Sequence, residues 1–209
     1  MPRISVIMGV YNAVNRMDEA IDSIIKQTFT DWEFIICDDG SVDDTYSRLL
    51  EWSKIDNRII PIRNEVNRGL AATLNHCIEH ATGEYIARMD DDDYSYPHRF
   101  EKQVDFLDNN REYAFCSSIV LLYDGVKTYA PLKNMKEKPE AEDFLRNTCF
   151  IHPATVFRAE ALKRAGCYRV AKEISRTEDY DLFMHMYALG MKGYNIQEPL
   201  LRYYVNLDA

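Results

Sequence analysis

Eight aspartates crowd into two short loops. Asp38, Asp39, Asp43 and Asp44 follow one apolar run, and Asp90, Asp91, Asp92 and Asp93 follow another; together they are about a quarter of the 34 acidic residues. Carboxylates brought that close repel one another unless a cation sits among them. An all-oxygen cluster suits Mg²⁺ or Mn²⁺, which use one or two carboxylates and keep positions for a substrate's phosphates. Asp43 and Asp44 stand where a helix begins, and a helix N-terminus favours negative charge, so this pair reads as helix capping rather than as metal ligands. Four aspartates abutting an apolar strand are costly as plain surface and read as a ligand site. An EF-hand is the rival for that run. Counted from Asp90, position 12 is Glu101, but position 6 is Ser95 where glycine is needed, position 5 is Tyr94, and Pro97 intrudes, so the EF-hand fails. Glycine-rich phosphate cradles are missing too: Gly9-Val10-Tyr11-Asn12 holds one glycine, and no GxxxxGK motif occurs. Phosphates would be held by metal and side chains.

The elements that must position these loops alternate. Ile4 to Met8 reads as a strand that Gly9 ends, and a helix follows through Ala20, Ile21, Ile24 and Ile25. Glu33 to Cys37 is a second strand, with a helix through Tyr46, Leu49 and Leu50 after its acidic loop. Arg58 to Arg63 is a third strand; Leu70, Leu74, Cys77, Ile78 and Ala81 mark a helix face that Thr82-Gly83 ends. Glu84 to Met89 is a fourth strand running into the aspartates, and Pro97 suits the first turn of a helix through Phe100, Val104 and Leu107. Strands separated by helices imply an α/β fold with a mostly parallel sheet covered on both faces. In such a sheet the strand ends open on one edge, where ligands bind at the switch in strand order, so both acidic loops should face one crevice. From Tyr113 the pattern changes. A strand at Ala114 to Tyr123 leads to a Lys- and Glu-rich excursion through Leu132 to Glu142, read as an inserted loop. A strand (Ala154 to Phe157), a short helix (Glu160 to Ala165), a firm helix (Glu178 to Leu189) and a last strand (Pro199 to Val205) complete the chain.

With 209 residues, 46% of them hydrophobic, the chain can bury a core and is read as one domain with no linker, repeat or low-complexity tract. Its net charge of −9 argues against general nucleic-acid binding, because duplex affinity rests on cations that neutralise phosphates. Five cysteines without a CxxC pair suit reduced thiols. No apolar run reaches the roughly 18 residues of a membrane span, and no signal-peptide pattern opens the chain. These features are those of an acidic globular protein of the cytoplasm.

Several blocks together resemble the family 2 inverting glycosyltransferases: SVIMGVYN, IICDDGS, NRGLAATLN, GEYIARMDDDD followed four residues on by Pro97, HPATVFRAEALKRAGCYR and TEDYDLFMH. They span nearly the whole chain in the family's order. The resemblance implies the nucleotide-diphospho-sugar transferase (GT-A) fold, with a Rossmann-like nucleotide half over about residues 1–112 and a smaller acceptor half over about 113–209. It implies transfer of a sugar, as in a hexosyltransferase, from a nucleotide donor, a UDP-sugar by family habit, to an acceptor hydroxyl with inversion. The expected setting is synthesis of cell-surface polysaccharide or lipopolysaccharide, on a glycan or lipid-linked acceptor, with peripheral contact at the inner face of a membrane. Carried over by residue, Tyr11 stacks on the base, Asp39 accepts a hydrogen bond from it, and Arg68 lies near the pyrophosphate. Asp92 is the direct ligand of Mn²⁺ or Mg²⁺, with Asp90 near the ribose or the metal. Asp91 belongs to the same nucleotide-binding motif but stands where the family often has a small residue. In Glu178-Asp179, Asp179 matches the general base. Asn206 falls about where many relatives place a histidine that completes the metal shell, and because the family commonly continues beyond this point, the chain is read as the catalytic part of a longer protein.

On residue chemistry alone, each position keeps a plainer reading. Tyr11 is then an aromatic at a strand end, Asp39 a turn residue before Gly40, Arg68 a solvated cation and Asp179 an acid in the first turn of its helix. His152 before Pro153 is either an acceptor contact or a buried, hydrogen-bonded histidine, and Trp32 and Trp52 read as packing. Two other functions compete. A nucleotidyltransferase that builds sugar nucleotides would show a glycine-rich N-terminal loop with a basic residue, which Ser5 to Asn12 lacks. A non-catalytic sugar-nucleotide-binding module would keep Asp39 and Asp92 but need no base, so Glu178-Asp179 argues against it.

Overall fold

A computed structural model describes residues 1–131, 135–146 and 148–206. Strands β1 (Ile4–Val10), β2 (Trp32–Asp38), β3 (Ile59–Arg63) and β4 (Tyr85–Arg88) alternate with helices α1 (Met17–Ile25), α2 (Thr45–Ile55) and α3 (Leu70–His80). The chain continues through β5 (Tyr94–Ser95), α4 (Arg99–Asn109), β6 (Tyr113–Tyr123), β7 (Thr128–Pro131), β8 (Val156–Arg158), α5 (Ala159–Arg164), α6 (Glu178–Ala188) and β9 (Lys192–Tyr204). One sheet runs β3-β2-β1-β4-β8-β6-β9-β5, with β7 alongside β6. β1, β2, β3 and β4 pair in parallel. β8 then joins β4 and β6 in antiparallel fashion, and β9 lies parallel to β6. The α/β expectation therefore holds, and the sheet passes from one half to the other without a break at residue 112.

Side chains alternate across each strand, which explains why apolar runs rather than alternating ones mark the central strands. Ile4, Val6, Met8 and Val10 face a core layer with Met17, Ala20, Ile21 and Ile24 of α1 and Phe100, Val104 and Leu107 of α4. Ile7, Ile35 and Cys37 face the opposite layer with Leu74, Cys77 and Ile78 of α3, Leu162 of α5, and Leu182, Phe183 and Met186 of α6. The order 3-2-1-4 puts a topological switch beside β1, so the C-terminal ends of β1, β2 and β4 open on one crevice.

Several boundaries differ from the sequence reading. Gly9 does not end β1 but lies inside it, where a Cβ would meet Thr73 of α3 at 3.0 Å; glycine there lets helix and strand approach. Pro97 precedes the helix rather than sitting in its first turn, because its carbonyl accepts from the Thr28 N–H and α4 starts at Arg99. β5 and β7 are too short to leave a pattern. β9 starts seven residues before the expected Pro199, at Lys192, hidden by the exposed polar residues Lys192, Gln197 and Glu198 and by one buried polar residue, Asn195. Asn195 is fully buried and donates to the carbonyls of Lys136 and Cys149, pinning the expected excursion against β9. Residues 132–134 of that excursion lie outside the described residues. The described cysteines are all free thiols, four of them buried.

Gly40, at φ +73°, turns the chain out of β2, and a Cβ there would meet the Val66 carbonyl carbon at 2.7 Å. Both the left-handed backbone and the backbone contact oppose a side chain. Gly40→Ala is expected to destabilise the fold by about 1–3 kcal/mol, read as a lowered urea midpoint.

Candidate active site

Three recesses adjoin at the C-terminal edge of the parallel strands. The first, of about 250 Å³, is lined by Gly9, Tyr11, Arg16, Asp39, Asp90 and Asp91 among others. Tyr11 is 42% exposed at its mouth. The backbone beneath it is tightly held. Asn12 adopts φ +48°, its N–H donates to Ser41 Oγ at 2.9 Å, and its Oδ1 accepts from the Val42 N–H at 3.1 Å. Asparagine tolerates this left-handed conformation better than most side chains. Asp39, only 4% exposed, accepts at Oδ1 from the Arg68 N–H and Asn64 Nδ2 and at Oδ2 from the Gly69 N–H, at 2.8 to 2.9 Å. It thereby shapes the loop that enters α3. A carboxylate offers about four acceptor positions, so one remains on Oδ2. Of the other acidic pair only Asp43 bonds the start of α2, accepting the Thr45 N–H at 3.0 Å; Asp44 stands at the N-cap position without a capping bond from its side chain, so the capping expectation is met for Asp43 alone.

The four aspartates after β4 meet four different fates. Asp90 is half-buried and paired with Arg88, a fully buried guanidinium whose Nε finds no acceptor. Asp91 is buried against Arg16, which donates Nε and Nη2 to its two oxygens at 3.1 and 2.9 Å. Burial pushes the Asp91 carboxyl up and Arg16 opposes that. Asp92 reaches solvent at the loop's tip, yet crowding by protein and the charges of Asp90 and Asp91 push its carboxyl up to about 6. Asp93 is buried, with Oδ1 accepting the Tyr204 N–H at 2.8 Å and Oδ2 unpartnered; burial pushes it well above the usual carboxylate range. It ties β9 to the loop. Asp90 and Asp92 are therefore the members left to face a ligand, which matches a D-x-D donor set. Among the described residues no three of His, Cys, Asp and Glu converge into a metal cage. One or two carboxylates completed by substrate phosphates is the mode Mg²⁺ and Mn²⁺ adopt, and the mutual repulsion that raises Asp92 is what a divalent ion would relieve.

The second recess, about 340 Å³, brings Asp90 together with Arg88, His152, Glu178, Asp179 and Tyr203. α6 carries Glu178 and Asp179 in its first turn, and Leu182, Phe183 and Met186 bury the helix against the sheet. Asp179 Oδ1 accepts the Tyr180 N–H at 2.8 Å; Glu178 is 8% exposed, and among the described residues its carboxylate has no hydrogen-bond or ion-pair partner. His152 is buried with Nε2 2.6 Å from the Tyr168 hydroxyl, and burial drives its pKa well below the usual value, so the ring is neutral. Of its two readings the buried, hydrogen-bonded one is met, with the residue also on the cleft wall. A third groove of about 510 Å³ runs between the start of α3 and the turn Lys172–Ile174, lined by Arg68, Leu70, Arg169, Val170, Lys172 and Ile174 among others. Glu178 borders this groove and the second recess, and Leu70 borders all three. Arg68 gives its backbone N–H to Asp39 while its side chain lines this groove.

Sequence reading missed Arg16, Asn64, Arg88 and Tyr203. Arg88 alone left a signal, as a charge inside an apolar strand next to acid; the others arrive by folding. Asn206 is exposed just past β9 and lines none of these three recesses.

Residues 5–166 match the family model described as glycosyl transferase family 2. A putative glycosyltransferase, EpsE, of Bacillus subtilis is 40% identical over 211 residues, covering 100% of this chain and 75% of that protein. A UDP-Glc:alpha-D-GlcNAc-diphosphoundecaprenol beta-1,3-glucosyltransferase of Escherichia coli is 30% identical over 197 residues, covering 93% of this chain and 74% of its own. A mannosyltransferase from Pyrobaculum calidifontis, solved with GDP-Man and Mn²⁺, superposes with a TM-score of 0.78 at 19% identity. This chain is covered fully and spans 58% of that one. The shared backbone is the GT-A fold.

The raised carboxyl of Asp92 has a sign that can be checked. A group whose folded pKa lies above its unfolded value contributes stability below the unfolded value and loses it as pH rises through about 6. Metal-free protein should therefore gain thermal stability at pH 7.5 from Asp92→Asn. Mn²⁺ should raise the melting temperature of the parent more at pH 7.5 than at pH 5, and of Asp92→Asn at neither; differential scanning fluorimetry reads all three.

Proposed function

The chain belongs to glycosyl transferase family 2, and on that premise we propose that it moves a sugar from a UDP-sugar to an acceptor hydroxyl with inversion, in a metal-dependent reaction of cell-surface polysaccharide synthesis. The observation that carries the proposal is that Asp90 lines two recesses at once, one with Tyr11 and Asp39, the other with Glu178 and Asp179. A nucleotide and a base on opposite sides of one carboxylate would set the anomeric carbon between leaving group and nucleophile.

In this reading Tyr11 stacks on the base and the remaining acceptor position of Asp39 takes its N–H. Asp92, with Asp90, would hold Mn²⁺ or Mg²⁺, and the bound ion would stabilise the charge of the departing diphosphate as a Lewis acid. Arg68, at the lip next to Gly69, would add a cation near the pyrophosphate. Asp179 accepts the proton of the attacking hydroxyl, held in aim by a helix buried against the sheet. One base suffices for inversion, because displacement is direct and no covalent intermediate forms. The UDP choice rests on the E. coli relative's name, and the cation on the mannosyltransferase solved with Mn²⁺. The acceptor would approach from the groove of Arg169, Lys172, Val170 and Ile174, whose mixed cationic and apolar lining suits a lipid-diphosphate-linked glycan such as the E. coli relative's name describes. No helix among the described residues is long and apolar enough to cross a membrane.

A screen of sugar nucleotides with Mn²⁺, reading released nucleoside diphosphate, identifies the donor; no release from any would contradict the proposal. With that donor, Asp179→Asn should lower transfer by about 10²–10⁴-fold, the usual contribution of general-base assistance. UDP binding should barely change, and Glu178→Gln should be milder. Full activity of Asp179→Asn with loss in Glu178→Gln would reverse their roles.

A further inference from the structure

We infer that Arg16 is a positioning residue that joins the base platform and the aspartate loop into one unit by tying the carbonyls of Tyr11 and Asn12 to the carboxylate of Asp91. The inference rests on the reading of the first recess as the nucleotide site. Arg16 stands at the N-cap of α1, anchored by the buried Met17 that follows it and by its own N–H, which donates to the Ala13 carbonyl at 3.0 Å. From there one planar guanidinium reaches four acceptors: Asp91 Oδ1 at 3.1 Å and Oδ2 at 2.9 Å, the Tyr11 carbonyl at 3.2 Å and the Asn12 carbonyl at 3.3 Å. A flat fork with five donors in fixed directions can do this; a lysine ammonium on the same site could not keep both carboxylate oxygens and both carbonyls.

Among the described residues the Tyr11 side chain makes no hydrogen bond, and the residue is 42% exposed, so the position of the ring follows the backbone at residues 11–12. Two anchors of Asn12 to Ser41 and Val42 fix that backbone toward β2. Arg16 is the anchor toward β4. Asp91 lies on the far side of that bridge, with a side chain only 12% exposed against 48% for Arg16, which makes it the rigid end of the strut. The pairing also removes one like charge from the crowd around Asp90 and Asp92. It gives a function to the acid standing where the resemblance leads one to expect a small residue: Asp91 contributes to nucleoside binding through Arg16 without touching the ligand.

Uridine, which carries no phosphate and needs no metal, is the probe. Arg16→Met keeps the stem and Asp91→Asn keeps the shape. Each should weaken uridine binding by about tenfold, and the double variant should be no weaker than either single one, as for two residues that act as one unit. Arg16→Lys should recover only part of the affinity. If Arg16→Met loses UDP but binds uridine like the parent, or Asp91→Asn leaves both affinities intact, Arg16 acts by charge on the diphosphate and the strut is overturned. Amide hydrogen exchange without ligand separates this from the nucleotide reading. Faster exchange of Asn12 and Ala13 in both single variants supports the strut even if the parent binds no nucleoside, whereas unchanged exchange in both contradicts it.

Discussion

Like charge at short range governs the edge of this sheet. Parallel strands deliver their following loops to one crevice, and here β2 and β4 both deliver aspartates, in a chain already at −9. The fold manages the four consecutive acids by giving each a different partner. Asp91 takes Arg16, Asp90 takes a buried Arg88, and Asp93 takes a backbone N–H of β9 in a setting that favours its neutral form. Asp92 is left in solvent with a raised pKa. Bringing arginines into the interior is costly unless hydrogen bonds satisfy them. Arg99 shows the cost, pushed down to about 9 by burial even as it donates to Gln103 and to the Arg88 carbonyl. The structure around β4 is in large part a scaffold for holding this loop's charge in place.

The same constraint connects fold to chemistry. A loop whose internal repulsion is only partly cancelled would be relieved by a cation, and in the proposed reaction a cation held there would meet the diphosphate of a nucleotide entering past Tyr11. Asp39 is buried and orders the loop into α3, so the contact proposed for it with a base would be preorganised. Glu178, buried between two recesses, and Asp179 beside it stand on a helix that three apolar side chains fix to the sheet. Of the residues that the proposed reaction needs, Asp179 stands on that helix, whereas Tyr11, Asp39, Arg68, Asp90 and Asp92 stand in the loops at the strand ends.

Much of this was legible in the sequence because parallel strands are written as apolar runs and their loops as polarity that breaks them. The first four strands, their helices and both acidic loops could be read that way, as could the joint crevice. Where polar side chains serve the interior, the pattern failed. Asn195 disguised the first half of β9, and Gly9, read as a stop, is a close contact with Thr73. Within the site, residue types named the aspartate run and the resemblance named Tyr11, Asp39 and Asp92, but neither showed which of the four aspartates the fold would pair. That depends on Arg16 and Arg88, whose partners lie across the fold or inside the strand. His152 had two readings, and only the Tyr168 hydroxyl 2.6 Å away separates them.

The central claim is that the carboxylates of this crevice accept a nucleoside diphosphate only together with a divalent cation. Calorimetric titration of the parent protein with UDP, once with Mn²⁺ and once with EDTA, tests it directly. The account predicts that affinity falls by about tenfold or more, equivalent to ~1.4 kcal/mol, when the metal is removed. Equal affinity in the two titrations would contradict it.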